Sequence, residues 1–519
     1  MRAAILPLLL GLFPVLSAAS SGCTGQSSAA PPSEDAGSSS SSGGGGDGGS
    51  CPTSSTSPFQ YAPMGCCYAY APPTVVTYGD LSLDSSASVS APDATPQRVR
   101  LGLGGSVQKG SPSYADPSTM AAFTWETTGN NQAAKVRYGT SATSMTTVQT
   151  GYSWSATVLG TTAYFHEVHV CGLTPDTHYY YQVGGGASGS EVWSATQDFT
   201  TVPATGTVTM GIFGDARDVD TVWQTVHQRM KEAAVNLMLI PGDVVDLGAL
   251  ESDYTTWLDK IWLPDPTKPT SFLTLGQQMI LPINGNHEND TAFSFSNWSI
   301  PADSQDQYPE TYASLDVGSV HFVMIDDLHL AKVSTGQTDA EATTQLAWLD
   351  ADLKAANADR TKHPFIVALS HRGLFSTSYH AGDSDVHNVR AQLAPLFDKY
   401  NVDLAINGHD HEYERSKPLH AGNPPSGAPV VGTTGTQYII NAGAGADPYT
   451  INMSPESYSA GVQVGFCGGG TACSQYPYIG LYSVAIATAT SLTIKAYGLK
   501  PSSTSIMDDT VIDTVTLTH

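Results

Sequence analysis

The residues able to do chemistry stand in short polar clusters, each directly after an apolar run. Gly408-His409-Asp410-His411 follows Val402-Asp403-Leu404-Ala405-Ile406. Histidines one residue apart on extended backbone can face the same side, and two such imidazoles can serve two neighbouring metal ions. Similar clusters recur at Gly214-Asp215-Ala216-Arg217-Asp218, Gly242-Asp243-Val244-Val245-Asp246, Asn284-Gly285-Asn286-His287-Glu288 and Ser370-His371-Arg372. Taken alone, Gly-Asp after a strand is often only a turn, and a lone histidine is often a surface residue. Their repetition after successive apolar strands points to one site, because strand carboxyl ends line the ligand crevice in open α/β sheets. Asp, Asn and His donors in this number suffice for two divalent or trivalent ions that share a carboxylate.

The elements that must position these clusters alternate between strand and helix. Apolar runs predict strands over 208–213, 237–240, 279–283, 320–325, 365–369 and 402–406, with further strands over 437–440, 482–487 and 491–497. Amphipathic spacing predicts helices over 219–234, 254–262, 339–356 and 386–399. This is an α/β layered domain with a β-rich end. Ahead of it, short alternating strands are predicted over 121–127, 134–139, 164–170 and 178–183. With the turn at Leu173-Thr174-Pro175-Asp176-Thr177 they suggest an antiparallel β-sandwich resembling a fibronectin type III module. Its aromatic residues read as core.

Composition bounds the function. The 519 residues carry a net charge of −25, which argues against nucleic acid bound through a basic face. Residues 1–19 have the form of a signal peptide: Arg2, an apolar run over 5–16, then Ser17-Ala18-Ala19. The chain is therefore expected to be exported, to an extracellular, periplasmic or outer-surface location. A lipid anchor at Cys23 is the alternative to simple cleavage, although Ser20 stands where a lipoprotein site usually has an aliphatic residue. Residues 20–95 read as a Ser/Gly-rich tether and a Cys-containing irregular segment, 96–203 as the sandwich and 204–519 as the catalytic domain. Export permits disulfides, and Cys467 with Cys473 is the pair easiest to accept.

The ordered set Gly-Asp, Gly-Asp, Gly-Asn-His-Glu, Ser-His and Gly-His-Asp-His resembles the calcineurin-like metallophosphoesterase superfamily. Gly408 to Arg415, reading Gly-His-Asp-His-Glu-Tyr-Glu-Arg, and the preceding sandwich point to its purple acid phosphatase branch. The resemblance implies a four-layer αββα metallophosphoesterase domain behind a fibronectin type III-like β-sandwich. It implies one ion on Asp215, Asp243 and His411, and a second on Asp243, Asn286, His371 and His409, with Asp243 bridging. His287 would lie near the substrate phosphate. His380, with Asp383 or Asp385, falls near the family's acid-assisting pair. Two positions depart from the pattern. Asp246 stands where the branch has the tyrosine that binds ferric iron, so Asp246 becomes a candidate ligand and the metals are open among Fe, Zn and Mn. Arg217 stands where many relatives have a metal-binding histidine; it cannot ligate, and would contact phosphate or pair with a neighbouring aspartate.

The expected activity is hydrolysis of small-molecule phosphomonoesters by in-line attack of a metal-bound hydroxide. Rival readings are a phosphodiesterase or nucleotide hydrolase of the same superfamily, or a secreted binding protein with a vestigial metal site.

Overall fold

The computed structural model describes residues 79–83, 95–104, 116–129, 133–186, 189–217, 220–261, 263–265, 268–273, 275–301, 310–334, 336–421, 429–449, 459–466, 477–501 and 508–519. The expected signal peptide, the tether, Cys23 and the pair Cys467 and Cys473 lie outside the described residues.

Side-chain alternation along the central strands builds the layers. In Val320–Met324, Val320, Phe322 and Met324 enter an apolar cluster shared with the strands Val208–Ile212 and Leu237–Ile240, while Val323 faces another cluster with Leu349, Leu353, Val389 and Leu393. Phe365–Leu369 divides the same way, with Phe365, Val367 and Leu369 on one face and Ile366 and Ala368 on the other. One sheet thus meets a second sheet on its inner face and the helices Ala340–Ala358 and Ser384–Lys399 on its outer face. Val222, Trp223, Val226 and Met230 of the helix Asp220–Glu232 cover the second sheet. This is the expected αββα order.

The smaller of these sheets has seven strands, with Val320–Met324, Phe365–Leu369, Leu404–Asn407 and Gln437–Asn441 parallel at its centre. The larger has eleven. Its parallel core, Val208–Ile212, Leu237–Ile240 and Met279–Pro282, continues into the sandwich, because Gly102 of the strand Gln97–Gly102 pairs with Ile280. The border expected between 203 and 204 therefore divides the chain but not the sheet. The segment expected to be irregular up to 95 also needs correction: Asp80–Leu83 pairs antiparallel with Tyr152–Val158 as the outer strand. Short apolar segments like Leu81 and Leu83 carry too little pattern to announce an edge strand.

Buried polar bonds fasten the sandwich to the catalytic part. Arg100 donates through Nε to the Asn297 carbonyl at 2.9 Å and through Nη1 to Glu126 at 2.5 Å. Trp154 Nε1 donates to Ser296 Oγ at 2.8 Å, and Tyr181 donates to the Gly276 carbonyl at 2.5 Å. A buried guanidinium is tolerated only when paired in this way. His166 is a core residue here: it is buried between Thr127 and Ser153, and burial lowers its pKa to about 3.

Candidate metal centre

The polar clusters converge where strand ends of both sheets meet. Asp215 follows Val208–Ile212, Asp243 follows Leu237–Ile240, and Asn286 and His287 follow Met279–Pro282. His371 follows Phe365–Leu369, and His409 and His411 follow Leu404–Asn407. Asp215, Asp243 and His409 all have positive φ, at 55°, 55° and 72°. Left-handed backbone is uncommon for residues with a Cβ and persists where the surroundings impose it. A Cβ on Gly285 would fall 2.1 Å from Asp243 Oδ1, and one on Gly408 2.7 Å from Asp215 Oδ2, so both glycines are required by close approach.

Asp243, His371 and His409 form a buried group whose donor atoms all lie within 4.8 Å of one another. His371 Nε2 is 3.4 Å from Asp243 Oδ2 and 3.0 Å from Asn286 Oδ1. Donors about 2.1 Å from a shared ion are separated by about 3.0 Å at a right angle and about 3.4 Å at the tetrahedral angle, so this spacing suits a cation. His371 Nδ1 donates to the Pro241 carbonyl at 2.8 Å, which leaves Nε2 as the donor atom. His409 Nε2 is buried with no hydrogen-bond partner, which an ion would supply. Burial, then the neighbouring His371 and His380, hold the His409 pKa well below the usual value, keeping its lone pair available. Burial acts against charge on Asp243 as well, but His371, His287 and Arg217 outweigh it and hold the carboxyl below the usual carboxylate range. Burial also pushes His371 down, but Asp243 and then Asp215 raise it to about 10. The residues fit a bound metal ion at this position.

Beside it lie Asp215 and His411, with His411 Nε2 3.3 Å from Asp215 Oδ1. The third group here is Arg217. Its Nη2 lies 3.2 Å from His411 Nε2, and its Nη1 hydrogen-bonds His287 Nε2. Nη1 is 3.9 Å from Asp243 Oδ2 and 3.6 Å from Asp246 Oδ1. Asp246 does not join the buried donor group: its side chain is 62% exposed, and its carbonyl accepts from His287 Nδ1 at 2.6 Å. It sits in the turn that carries the chain out of the crevice, where a carboxylate stays hydrated.

His380 stacks on His409 with ring centroids 4.1 Å apart, and its Nδ1 is 2.7 Å from Asp383 Oδ2. The backbone N–H of His380 donates to Asp410 Oδ1 at 2.9 Å, so Asp410 turns away from the donor group and anchors this loop. Two participants were missed in the sequence. The Tyr449 ring stacks on His411 at 4.0 Å, from the loop after Gln437–Asn441; that loop is a sixth strand end, and its run Gly443-Ala444-Gly445-Ala446 was the available signal. Glu288, which closes the cluster Asn284-Gly285-Asn286-His287-Glu288, accepts from the backbone of Asp243, Val244 and Gly285.

Comparison with known proteins agrees with this geometry. Residues 107–201 match the model of the purple acid phosphatase N-terminal domain, and 172–413 match that of the calcineurin-like phosphoesterases. Purple acid phosphatase 21 of Arabidopsis thaliana is 26% identical over 332 residues, 63% of this chain and 68% of its own. Human acid phosphatase type 7 is 25% identical over 408 residues, 72% of this chain and 85% of its own. Among solved structures, purple acid phosphatase PPD1 from yellow lupin superposes with a TM-score of 0.62 at 17% identity, covering 83% of this chain and 76% of its own, a likeness of fold. The family's chemistry is phosphoester hydrolysis at a dimetal centre. The chain is a metal-dependent phosphatase, and it belongs to the purple acid phosphatase-like branch of the calcineurin-like metallophosphoesterases.

Proposed function

We propose that the chain is an exported phosphatase of small-molecule phosphomonoesters. The observation that carries this reading is the buried group Asp243, His371 and His409 with His380 stacked against it. Asp243, Asn286, His371 and His409 would hold the metal, and Asp215 and His411 line the adjoining position. Bound metal supplies Lewis acidity toward phosphate oxygens and lowers the pKa of water. The chain's own residues do the rest. Arg217 and His287, hydrogen-bonded to each other, would contact the phosphate, where a guanidinium neutralises developing oxygen charge. His380 would donate a proton from Nε2 to the leaving group, while Asp383 at Nδ1 fixes the ring. Asp410 holds the His380 backbone in that position.

The test is turnover of p-nitrophenyl phosphate and bis(p-nitrophenyl) phosphate by protein loaded separately with manganese, zinc and iron. Faster metal-dependent cleavage of the monoester, abolished by a chelator, is expected. Folded protein inactive toward both with every metal would defeat the enzyme reading, and a preference for the diester would replace the substrate class. Export is tested by the N-terminal sequence of protein from the cell exterior or envelope; an intact Met1 there would overturn cleavage after the leader.

A further inference from the structure

We propose that the Arg217 guanidinium stands in for one cation of the family's dimetal centre, so that this chain keeps one resident ion, on Asp243, Asn286, His371 and His409. The inference deepens the phosphatase reading and rests on it. Tautomers decide which ring nitrogens could hold an ion. His411 Nδ1 hydrogen-bonds the Asp447 carbonyl, and His287 Nδ1 bonds the Asp246 carbonyl. A carbonyl only accepts, so both Nδ1 atoms carry hydrogen, and each neutral ring has a single lone pair, on Nε2. Both lone pairs point at the same guanidinium: Nη2 lies 3.2 Å from His411 Nε2, and Nη1 bonds His287 Nε2. A guanidinium only donates and stays protonated, so these are true donor–acceptor pairs.

An ion held by His411 needs the lone pair that Arg217 uses. It would also stand against a fixed positive charge in a crevice where the Arg217 side chain is 8% exposed and little water screens it. The buried carboxylates whose oxygens lie against His287, His371 and His411 are Asp215 and Asp243. One divalent ion together with Arg217 already exceeds their charge, and a second ion would add repulsion without a new buried anion, because Asp246 is largely in solvent. The substitution also fits the sequence. Arg217 occupies the strand-end position from which a metal-binding side chain would reach His411, and no tyrosine follows Asp243 within this loop. A guanidinium there keeps a phosphate-binding charge while giving up a second Lewis acid.

The test counts metal, so it reads independently of whether phosphomonoesters are the substrate. Metal-free protein is titrated to saturation with Mn(II), the excess is removed, and metal per chain is measured together with the electron paramagnetic resonance spectrum. About one ion per chain with the six-line signal of an isolated Mn(II) is expected for the unmodified protein. Arg217→His should raise the count about twofold and replace that signal with an exchange-coupled one. Two ions per unmodified chain would overturn the proposal, and so would a folded Arg217→His protein that still binds one. If Arg217→His does not fold, the count and spectrum of the unmodified protein decide alone.

Discussion

Glu288 holds Asp243 by its backbone: Oε2 accepts the Asp243 N–H at 2.9 Å, and the same oxygen accepts the Gly285 N–H at 2.7 Å. The other oxygen takes Val244 at 2.9 Å. One buried carboxylate thus fixes two strand ends that carry opposite sides of the donor group, and it anchors Asp243 in its positive-φ conformation. Glu288→Ala strands these N–H groups in the interior and should cost about 3 kcal/mol or more. It should also weaken metal binding by about tenfold to a hundredfold. Chemical denaturation and competitive metal titration measure the two effects, and a variant of unchanged stability would show that Glu288 is no clamp.

Loading the centre should expel a proton. In the metal-free chain His371 is raised to about 10, chiefly by Asp243 acting against burial, so Nε2 is protonated at neutral pH. Metal can bind only after that proton leaves. Calorimetric titration in buffers of different ionisation enthalpy should report release of about one proton at pH 7. Affinity should fall as pH is lowered, and uptake without proton release would contradict the assignment.

His380 should matter in proportion to the leaving group. Its loss in His380→Ala should lower kcat by about a hundredfold for alkyl phosphates, whose oxygen needs a proton, and far less for p-nitrophenyl phosphate. Asp383→Asn should reproduce the trend more weakly, since Asp383 acts only through the His380 ring. Equal losses across leaving groups would make His380 a packing residue on His409.

His321 predicts a pH window for stability away from the site. It is buried between Asp316 at 2.7 Å and Asp352 at 2.9 Å. Burial acts to lower its pKa, but Asp352 and Asp316 prevail and raise it to about 9 from 6.5. A raised folded-state value means stabilisation fully present below about 6.5 and lost as pH rises through about 9. The contribution is roughly 3 kcal/mol. His321→Gln should therefore be much less stable than the unmodified protein at pH 6 and close to it at pH 10, as urea midpoints will show. A pH-independent gap would refute the linkage.

Why so much of the centre could be seen beforehand is a matter of spacing. Asp215, Asp243, Asn286, His371 and His409 each end an apolar strand, and parallel strands deliver their ends to one edge. What spacing cannot carry is direction and distance across the chain. The Asp246 carboxylate lies one turn past Asp243, yet it faces solvent, because the loop leaves the crevice there. Spacing alone leaves Arg217 open between phosphate and an aspartate. Its contact with the lone pairs of His287 and His411 depends on tautomers set by remote carbonyls. Tyr449 comes from a loop whose small residues Gly443-Ala444-Gly445-Ala446 mark a close approach, but only tertiary packing discloses the stacking of its ring on His411. The sandwich was legible as a module, whereas its union with the catalytic sheet rests on pairing between residues 102 and 280.

That union sets terms for protein engineering. Removing the sandwich would bare the backbone of Met279–Pro282, the very strand that leads to Asn286, and an uncovered strand invites pairing with other chains. A chimera that exchanges the sandwich must reproduce the hydrogen-bond register at Gly102 as well as the covalent junction. The accessory module and the metal-binding edge are thus bound to be inherited together, as one continuous textile rather than two pieces sewn at a seam.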